Sequence, residues 1–303
     1  MNTIKLLHRA KKAKNDEFYT RLEDIEKELQ HYTQHFNDKI VLCNCNDARY
    51  GNFKNYFTTH FKELNLKKLI CTAYGDNAFY TSFDGEMENR YELTCNGDFR
   101  DDEMIELLKK ADIVCTNPPF SLFREYVAQL MAFDKKFLII GNMNAITYKE
   151  VFPLIKENRM WTGFRRYGGD MYFLVNDDFE YACTYKAKRE IDNQKVNRLF
   201  SICWFTNIGE QKQNKPIELK KKYNPEEYPK YDNCDAINVD KVADIPMDYN
   251  GAMGVPITFL DKYCPNQFEI IKFRNGDDDK DLCVNGKCPY FRILIKKKPM
   301  HEF

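Results

Sequence analysis

Four consecutive residues, Asn117, Pro118, Pro119 and Phe120, stand where an α/β protein places its chemistry. They follow "DIVCT", whose apolar centre, Ile113 to Cys115, reads as a short buried strand. Neither proline can donate a ladder hydrogen bond, so the strand must end there. Beyond them Leu122, Phe123, Tyr126, Val127, Leu130 and Met131 recur at helical spacing, with Ser121 as a candidate N-cap, and "KFLIIG" supplies another apolar strand. Strand, rigid turn, helix and strand put the turn at the carboxyl edge of a parallel sheet, where ligands bind. Against this stands the ordinary use of Asn-Pro and Pro-Pro as loop punctuation.

Other chemistries find less support. The loop after the first strand, "CNCNDARYGNF", holds one glycine, Gly51, and lacks the G-x-G-x-x-G that cradles a dinucleotide pyrophosphate, which disfavours NAD and FAD. A nucleoside cofactor without a pyrophosphate fits better, and S-adenosylmethionine is the obvious candidate. Eleven cysteines and five histidines form no C-x-x-C pair and no partner cluster. Cys43, Cys45, Cys71, Cys115 and Cys203 lie in or beside apolar runs, where a reduced cysteine is a small hydrophobe. Cys283 and Cys288 lack a second ligand pair, so neither a disulfide framework nor a metal site is expected.

The 46 basic and 46 acidic side chains balance, which argues against a strong general nucleic-acid binder. The charges are nevertheless clustered. Lys5, Arg9, Lys11, Lys12 and Lys14 precede any acid, and Lys220 to Lys222 and Lys296 to Lys298 form further basic runs that could meet phosphates. A 43% hydrophobic, 15% aromatic chain is globular rather than disordered. No apolar run reaches the length of a membrane span, and "MNTIKLLHRAKKAKNDEF" lacks a signal-peptide core, so a cytoplasmic protein without membrane partners is expected.

The elements that must position the Asn117 turn alternate. A helix is expected over Glu23 to Phe36, then the strand "KIVLCNC", a helix from Phe53 to Leu64, and the strand "KKLICTA". After an irregular acidic stretch come a strand in "RYELTCNGDF", a helix at Met104 to Lys110, the strand before Asn117, its helix and "KFLIIG". Five strands alternating with helices indicate a doubly wound sheet. "DMYFLV" and "RLFSICWFTNI" read as antiparallel strands closing its edge. From Glu210 the chain turns polar, then returns to strand-like runs near Ile257 to Leu260, Phe268 to Phe273 and Tyr290 to Ile295. The expected division is residues 1–209 and residues 210–303.

The residues also carry a family resemblance. Asn117 to Phe120 matches the (D/N/S)-P-P-(Y/F/W) motif of amino methyltransferases. The whole chain resembles the EcoRI-type adenine-specific DNA methyltransferases, from "LLHRAKKAKNDEFYT" through "VLCNCND", "KKLI" and "NPPF" to "WFTN" and "GVPITFL". The resemblance implies a mostly parallel, seven-stranded Rossmann-like core over 1–209 and a smaller DNA-recognition region over 210–303. It implies methyl transfer from S-adenosylmethionine to the N6 amine of adenine at a specific site in double-stranded DNA. The Asn117 side-chain oxygen and the Pro118 carbonyl would accept the amine's two N–H bonds, Pro118 and Pro119 would fix those acceptors, and Phe120 would stack on an adenine rotated out of the duplex. No metal is called for, and the enzyme is expected to act as a monomer, beside a cognate restriction endonuclease in function if not in physical contact.

For the cofactor, the resemblance implies Asn44 and Asp47 in the first loop, Asp98 with Phe99 in "NGDF", Asn117 itself, and Phe18, Tyr19 and Thr20 in "DEFYT". Two features depart from the family pattern: "CNCND" replaces a glycine-rich loop, and Thr72 to Tyr74 stand where an acid is expected after the second strand. Asp98 and Asp47 read equally as turn or cap acids, and Phe18 and Tyr19 as a staple for the next helix. Arg166, Tyr167 and Trp204 read as core or surface. Two other functions compete: methylation of RNA or of a protein glutamine, whose amide needs the same double acceptor, and a catalytically silent nucleic-acid-binding module.

Overall fold

The structure, a computed structural model, describes residues 18–45, 51–165, 170–175, 179, 181, 190–209, 216–273, 281–289 and 291–299. Its contacts divide the chain into two compact units, Met1–Val151 with Met160–Gly209, and Phe152–Arg159 with Glu210–Phe303.

The first unit is α/β. Strands β1 (Tyr19–Thr20), β2 (Ile40–Cys43), β3 (Lys68–Ala73), β4 (Phe79–Phe83), β5 (Glu88–Glu92), β6 (Ile113–Thr116), β7 (Lys136–Asn142) and β8 (Trp161–Thr162) are followed by β9 (Met171–Leu174), β10 (Glu190–Ile191), β11 (Gln194–Leu199) and β12 (Ile202–Thr206). Eight of them form one sheet in the order β5-β4-β3-β2-β6-β7-β12-β8. Only the four central strands, β3-β2-β6-β7, run parallel. The sheet is thus mixed and eight-stranded, where a seven-stranded, mostly parallel one was expected.

Connection length explains the difference, because a parallel neighbour needs a crossover of a dozen or so residues. Only a short loop joins β3 to β4, and β4 turns into β5 through Asp84, whose carboxylate accepts the amides of Glu86 and Met87, with Gly85 at φ 100°. Both pairs are therefore antiparallel, and the stretch read as irregular and then as a fifth parallel strand is an antiparallel ribbon.

Helices α1 (Leu22–Leu29) and α2 (Asn52–Thr59) cover one sheet face; Ile25, Leu29, Phe53 and Phe57 share a core with Val41, Cys43, Cys71, Cys115 and Ile140. Both helices are shorter than expected. Tyr32, Phe36, Phe61 and Leu64 are still buried, but in turns. Helices α3 (Asp102–Lys110) and α4 (Phe123–Ala132) lie on the opposite face, where Gly141 lets α4 approach: a Cβ there would meet the Phe123 ring at 2.5 Å. A 3-10 turn, Phe120–Leu122, precedes α4, and no side chain caps the helix, so Ser121 is not its cap.

β12 pairs antiparallel with β7, but β9 does not join that sheet. It lies in a second sheet, β1-β9-β11-β10. The run "RLFSICWFTNI" is two strands because Ser201, at φ 56°, turns the chain between β11 and β12.

The second unit contains α5 (Phe152–Lys156) and a five-stranded mixed sheet of β13 (Lys230–Tyr231), β14 (Cys234–Asn238), β15 (Ala252–Pro256), β16 (Phe268–Phe273) and β17 (Arg292–Lys297), in the order β13-β14-β15-β17-β16. Lys156 Nζ donates to the Ile271 carbonyl at 2.7 Å, which ties α5 to β16. Ile257 to Leu260 forms part of a 3-10 helix rather than a strand. Cys283 and Cys288 form a disulfide, contrary to the sequence expectation. The intervening turn is docked by Asp232, whose carboxylate accepts the amides of Asn285 and Gly286. That docking brings two cysteines five residues apart within bonding distance, which their spacing alone did not reveal.

Candidate active site

The registers of β2, β3 and β6 end the three strands at one edge, so that Asn44, Tyr74 and Asn117 each begin the loop beyond a parallel strand. Most of the candidate residues gather along this edge.

Asn117 donates through Nδ2 to the Phe18 carbonyl at 2.9 Å. A carbonyl can only accept, so this contact fixes which end of the amide faces Phe18. The other end, Oδ1, is buried and has no hydrogen-bond partner among the described residues. A buried acceptor without a donor costs about 1–3 kcal/mol, and such an atom calls for an explanation. Pro118 is buried beside it, and no described group donates to its carbonyl, whereas the Pro119 carbonyl accepts the Leu122 amide at 3.0 Å. Two acceptors without a donor among the described residues therefore stand at a turn whose φ angles at 118 and 119 the proline rings hold. Phe120 is half-buried and meets Phe173 edge-on, centroids 6.3 Å apart.

The segment bearing Phe18 is held by β1, which pairs Tyr19 with Leu174 and Thr20 with Phe173, and by Asn52 at the start of α2, whose Nδ2 donates to the Thr20 carbonyl at 2.7 Å. The Phe18 ring packs edge-on against Phe173 of β9 and against Phe179 at 6.1 and 5.9 Å, and it also meets the core to which Ile25 and Leu29 of α1 belong. Thr20 is buried, and its Oγ1 has no partner among the described residues.

Asn44 is buried at the end of β2. Thr116 Oγ1 donates to its carbonyl and the Tyr126 hydroxyl to its Oδ1. Burial pushes the Tyr126 hydroxyl far above its ordinary pKa, so it remains a donor. Burial, and then the charge of Asp98, pushes the Cys45 thiol up to about 12, which keeps it neutral.

Asp98 sits beyond Gly97, whose φ of 81° and 2.9 Å clearance from its would-be Cβ to the Ala73 carbonyl require glycine. Its carboxylate pairs with Arg100 at 2.6 Å and accepts the Arg100 amide at 3.0 Å. Those contacts, the Arg100 side chain foremost, hold it below the usual carboxylate range. Asp98 thus does act as a turn acid, and its side chain is about one-fifth exposed. Phe99 is buried edge-on to Tyr126 at 5.0 Å, and its carbonyl accepts from Gln129 at 2.9 Å.

Asp47, the basic segment Lys5 to Lys14, Arg166 and Tyr167 lie outside the described residues. Trp204 is a core residue, fully buried and edge-on to Phe53. Sequence reasoning missed Tyr126, Thr116, Asn52, Phe173 and Phe179. Only Tyr126 carried a signal: a tyrosine on the inner face of an apolar helix brings a hydroxyl that must find a partner.

Among the described residues no helix is long and apolar enough to cross a membrane, and no group of three or more potential ligands could hold a metal ion. No solved structure matches the chain. The sequence is 52% identical to the Type II methyltransferase M.EcoRI of Escherichia coli, across 99% of this chain and 98% of that protein. It is 40% identical to M.MgeORF184P of Mycoplasma genitalium and 39% identical to M.MpnI of Mycoplasma pneumoniae, both named Type II methyltransferases and both aligned over 96% of this chain and 98% of their own. The family described as adenine-specific methyltransferase EcoRI matches residues 6–298, and the chain, with its NPPF turn at the carboxyl edge of the parallel strands, belongs to that family.

Proposed function

We propose that the protein is a site-specific DNA methyltransferase that moves a methyl group from S-adenosylmethionine to the N6 amine of adenine in double-stranded DNA. One observation carries the reading: the Asn117 amide is anchored through its nitrogen, and its oxygen is buried with no partner among the described residues. The exocyclic amine of adenine is a poor nucleophile because its lone pair is delocalised into the ring. Asn117 Oδ1 and the Pro118 carbonyl accept its two N–H bonds, which draws the nitrogen towards a tetrahedral geometry and frees the lone pair for attack. Phe120 provides the face on which an adenine rotated out of the duplex stacks. S-adenosylmethionine supplies an electrophilic methyl on a sulfonium.

The edge fits that cofactor. It offers the Thr20 hydroxyl, which has no partner among the described residues, the fixed turn at Asn44, the carboxylate of Asp98 and the half-buried ring of Phe18, while Phe99 is packed beneath against Tyr126. Tyr19 and Asp47 complete the set. Residues 1–209 form the Rossmann-like, doubly wound methyltransferase core in this reading, and 210–303 supply surface for duplex recognition, which a small core does not provide alone. The enzyme works as a cytoplasmic monomer and protects sites that a cognate endonuclease would cut.

The test offers labelled S-adenosylmethionine with duplex DNA, RNA and protein in parallel. Label in N6-methyladenine of DNA is expected. Label confined to RNA or to glutamine would overturn the substrate, and tight NAD binding with no S-adenosylhomocysteine binding would overturn the cofactor.

A further inference from the structure

Asn44 is gripped on both of its oxygens by the segment that carries Asn117. Thr116, at the end of β6, donates to its carbonyl, and Tyr126, on the first turns of α4, donates to its side chain. The next residue, Cys45, has φ 59°, in the left-handed region that glycine enters freely and a residue with a Cβ enters only under constraint. No glycine occupies "CNCND". The Tyr126 ring is fully buried against Phe99, a setting in which phenylalanine would serve as well were packing its only role.

We propose that the Thr116 and Tyr126 hydroxyls are positioning groups that hold the Asn44–Cys45 turn in its left-handed form and couple it to the Asn117 turn. They do by hydrogen bonding what glycines would do by backbone freedom, so that the Asn44–Cys45 turn is set before a ligand arrives. Such a conformation persists only where its surroundings over-determine it, and two donors on one residue supply that constraint. A loop ordered in advance loses less entropy on binding. That this ligand is S-adenosylmethionine rests on the reading above; the clamp itself does not.

The test compares wild type with Tyr126→Phe, Thr116→Val and Thr116→Ser, each alone and combined with Cys45→Gly. Two quantities are read: hydrogen exchange at residues 44 and 45 without ligand, and calorimetric affinity for S-adenosylhomocysteine. Tyr126→Phe and Thr116→Val should each speed exchange and weaken binding about tenfold, the scale of one lost buried hydrogen bond. Thr116→Ser, which keeps the hydroxyl, should stay near wild type. Adding Cys45→Gly should recover most of each loss, because glycine enters that φ without the strain a Cβ brings and so needs no clamp to reach it. Unchanged exchange in both Tyr126→Phe and Thr116→Val, or losses that Cys45→Gly leaves unrepaired, would overturn the proposal. Should Tyr126→Phe fail to fold, Thr116→Val against Thr116→Ser decides alone. Wild type that binds no S-adenosylhomocysteine would sink the cofactor reading, while the exchange rates would still decide the clamp.

Discussion

Two turns leave neighbouring parallel strands at the same edge and are made rigid in opposite ways. The turn after β6 is held by covalent structure: two prolines fix φ at consecutive positions and leave Asn117 Oδ1 and the Pro118 carbonyl without a donor among the described residues. The turn after β2 is held by hydrogen bonds, with both Asn44 oxygens occupied and Cys45 forced to φ 59°. The difference suits the two proposed tasks. A turn that must offer acceptors to a substrate cannot spend them on its own stability, whereas a turn that needs only shape can.

The largest effect expected from breaking this contrast is at Asn117. Asn117→Ala removes the acceptor proposed to act as the methyl moves, so single-turnover methylation should fall about 100- to 1,000-fold, while S-adenosylhomocysteine affinity changes little. A purely structural Asn117 would do the reverse, lowering the melting temperature and leaving the rate of folded protein near wild type.

Phe120 comes next. Loss of its ring in Phe120→Ala should remove about 1–3 kcal/mol of stacking and slow methylation, with altered fluorescence of 2-aminopurine placed at the target. Phe120→Trp should retain more activity than Phe120→Ala, and equal activity in the two variants would remove Phe120 from the adenine site.

Covalent rigidity is probed more gently by Pro119→Ala. The extra freedom of the unfolded chain should cost about 0.4–1 kcal/mol of stability, measured by urea unfolding. Because Pro118 still fixes its own φ, methylation should fall less than for Asn117→Ala. A loss as large as that of Asn117→Ala would show that the second proline, not the amide, governs the site.

The smallest effect is electrostatic and lies beside the hydrogen-bonded turn. Arg100 holds Asp98 below the usual carboxylate range. A depressed folded-state value means that the pair contributes its stability above the unfolded value and loses it as pH falls through the folded one. Stability should thus be insensitive to Asp98 from about pH 5 to 8. Arg100→Ala should bring the Asp98 titration, followed by NMR, back up towards the ordinary range, and an unmoved midpoint would exclude Arg100 as its cause.

How much could be read without coordinates follows the same division. Proline punctuation, the apolar runs of β2, β3, β6 and β7 and the helical spacing around Tyr126 are local, so the parallel centre of the sheet and the Asn117 turn were legible. The antiparallel ribbon of β4 and β5 was not, because nothing in "FYTSF" or "ENRYE" states which strand it will pair with. Nor was the separation of β9 from the main sheet, which is set by its pairing with β1 and β11.

The sequence by itself determined the family and the place of the proline turn that ends β6, since motifs and proline geometry are properties of adjacent residues. Only the tertiary structure decided which way the Asn117 amide points, that the Phe18 carbonyl anchors it, and that Thr116 and Tyr126 grip Asn44. Those contacts join residues 72 to 99 positions apart, and a hydrogen bond across such a distance is set by how strands and helices pack, which no spacing of residue types encodes.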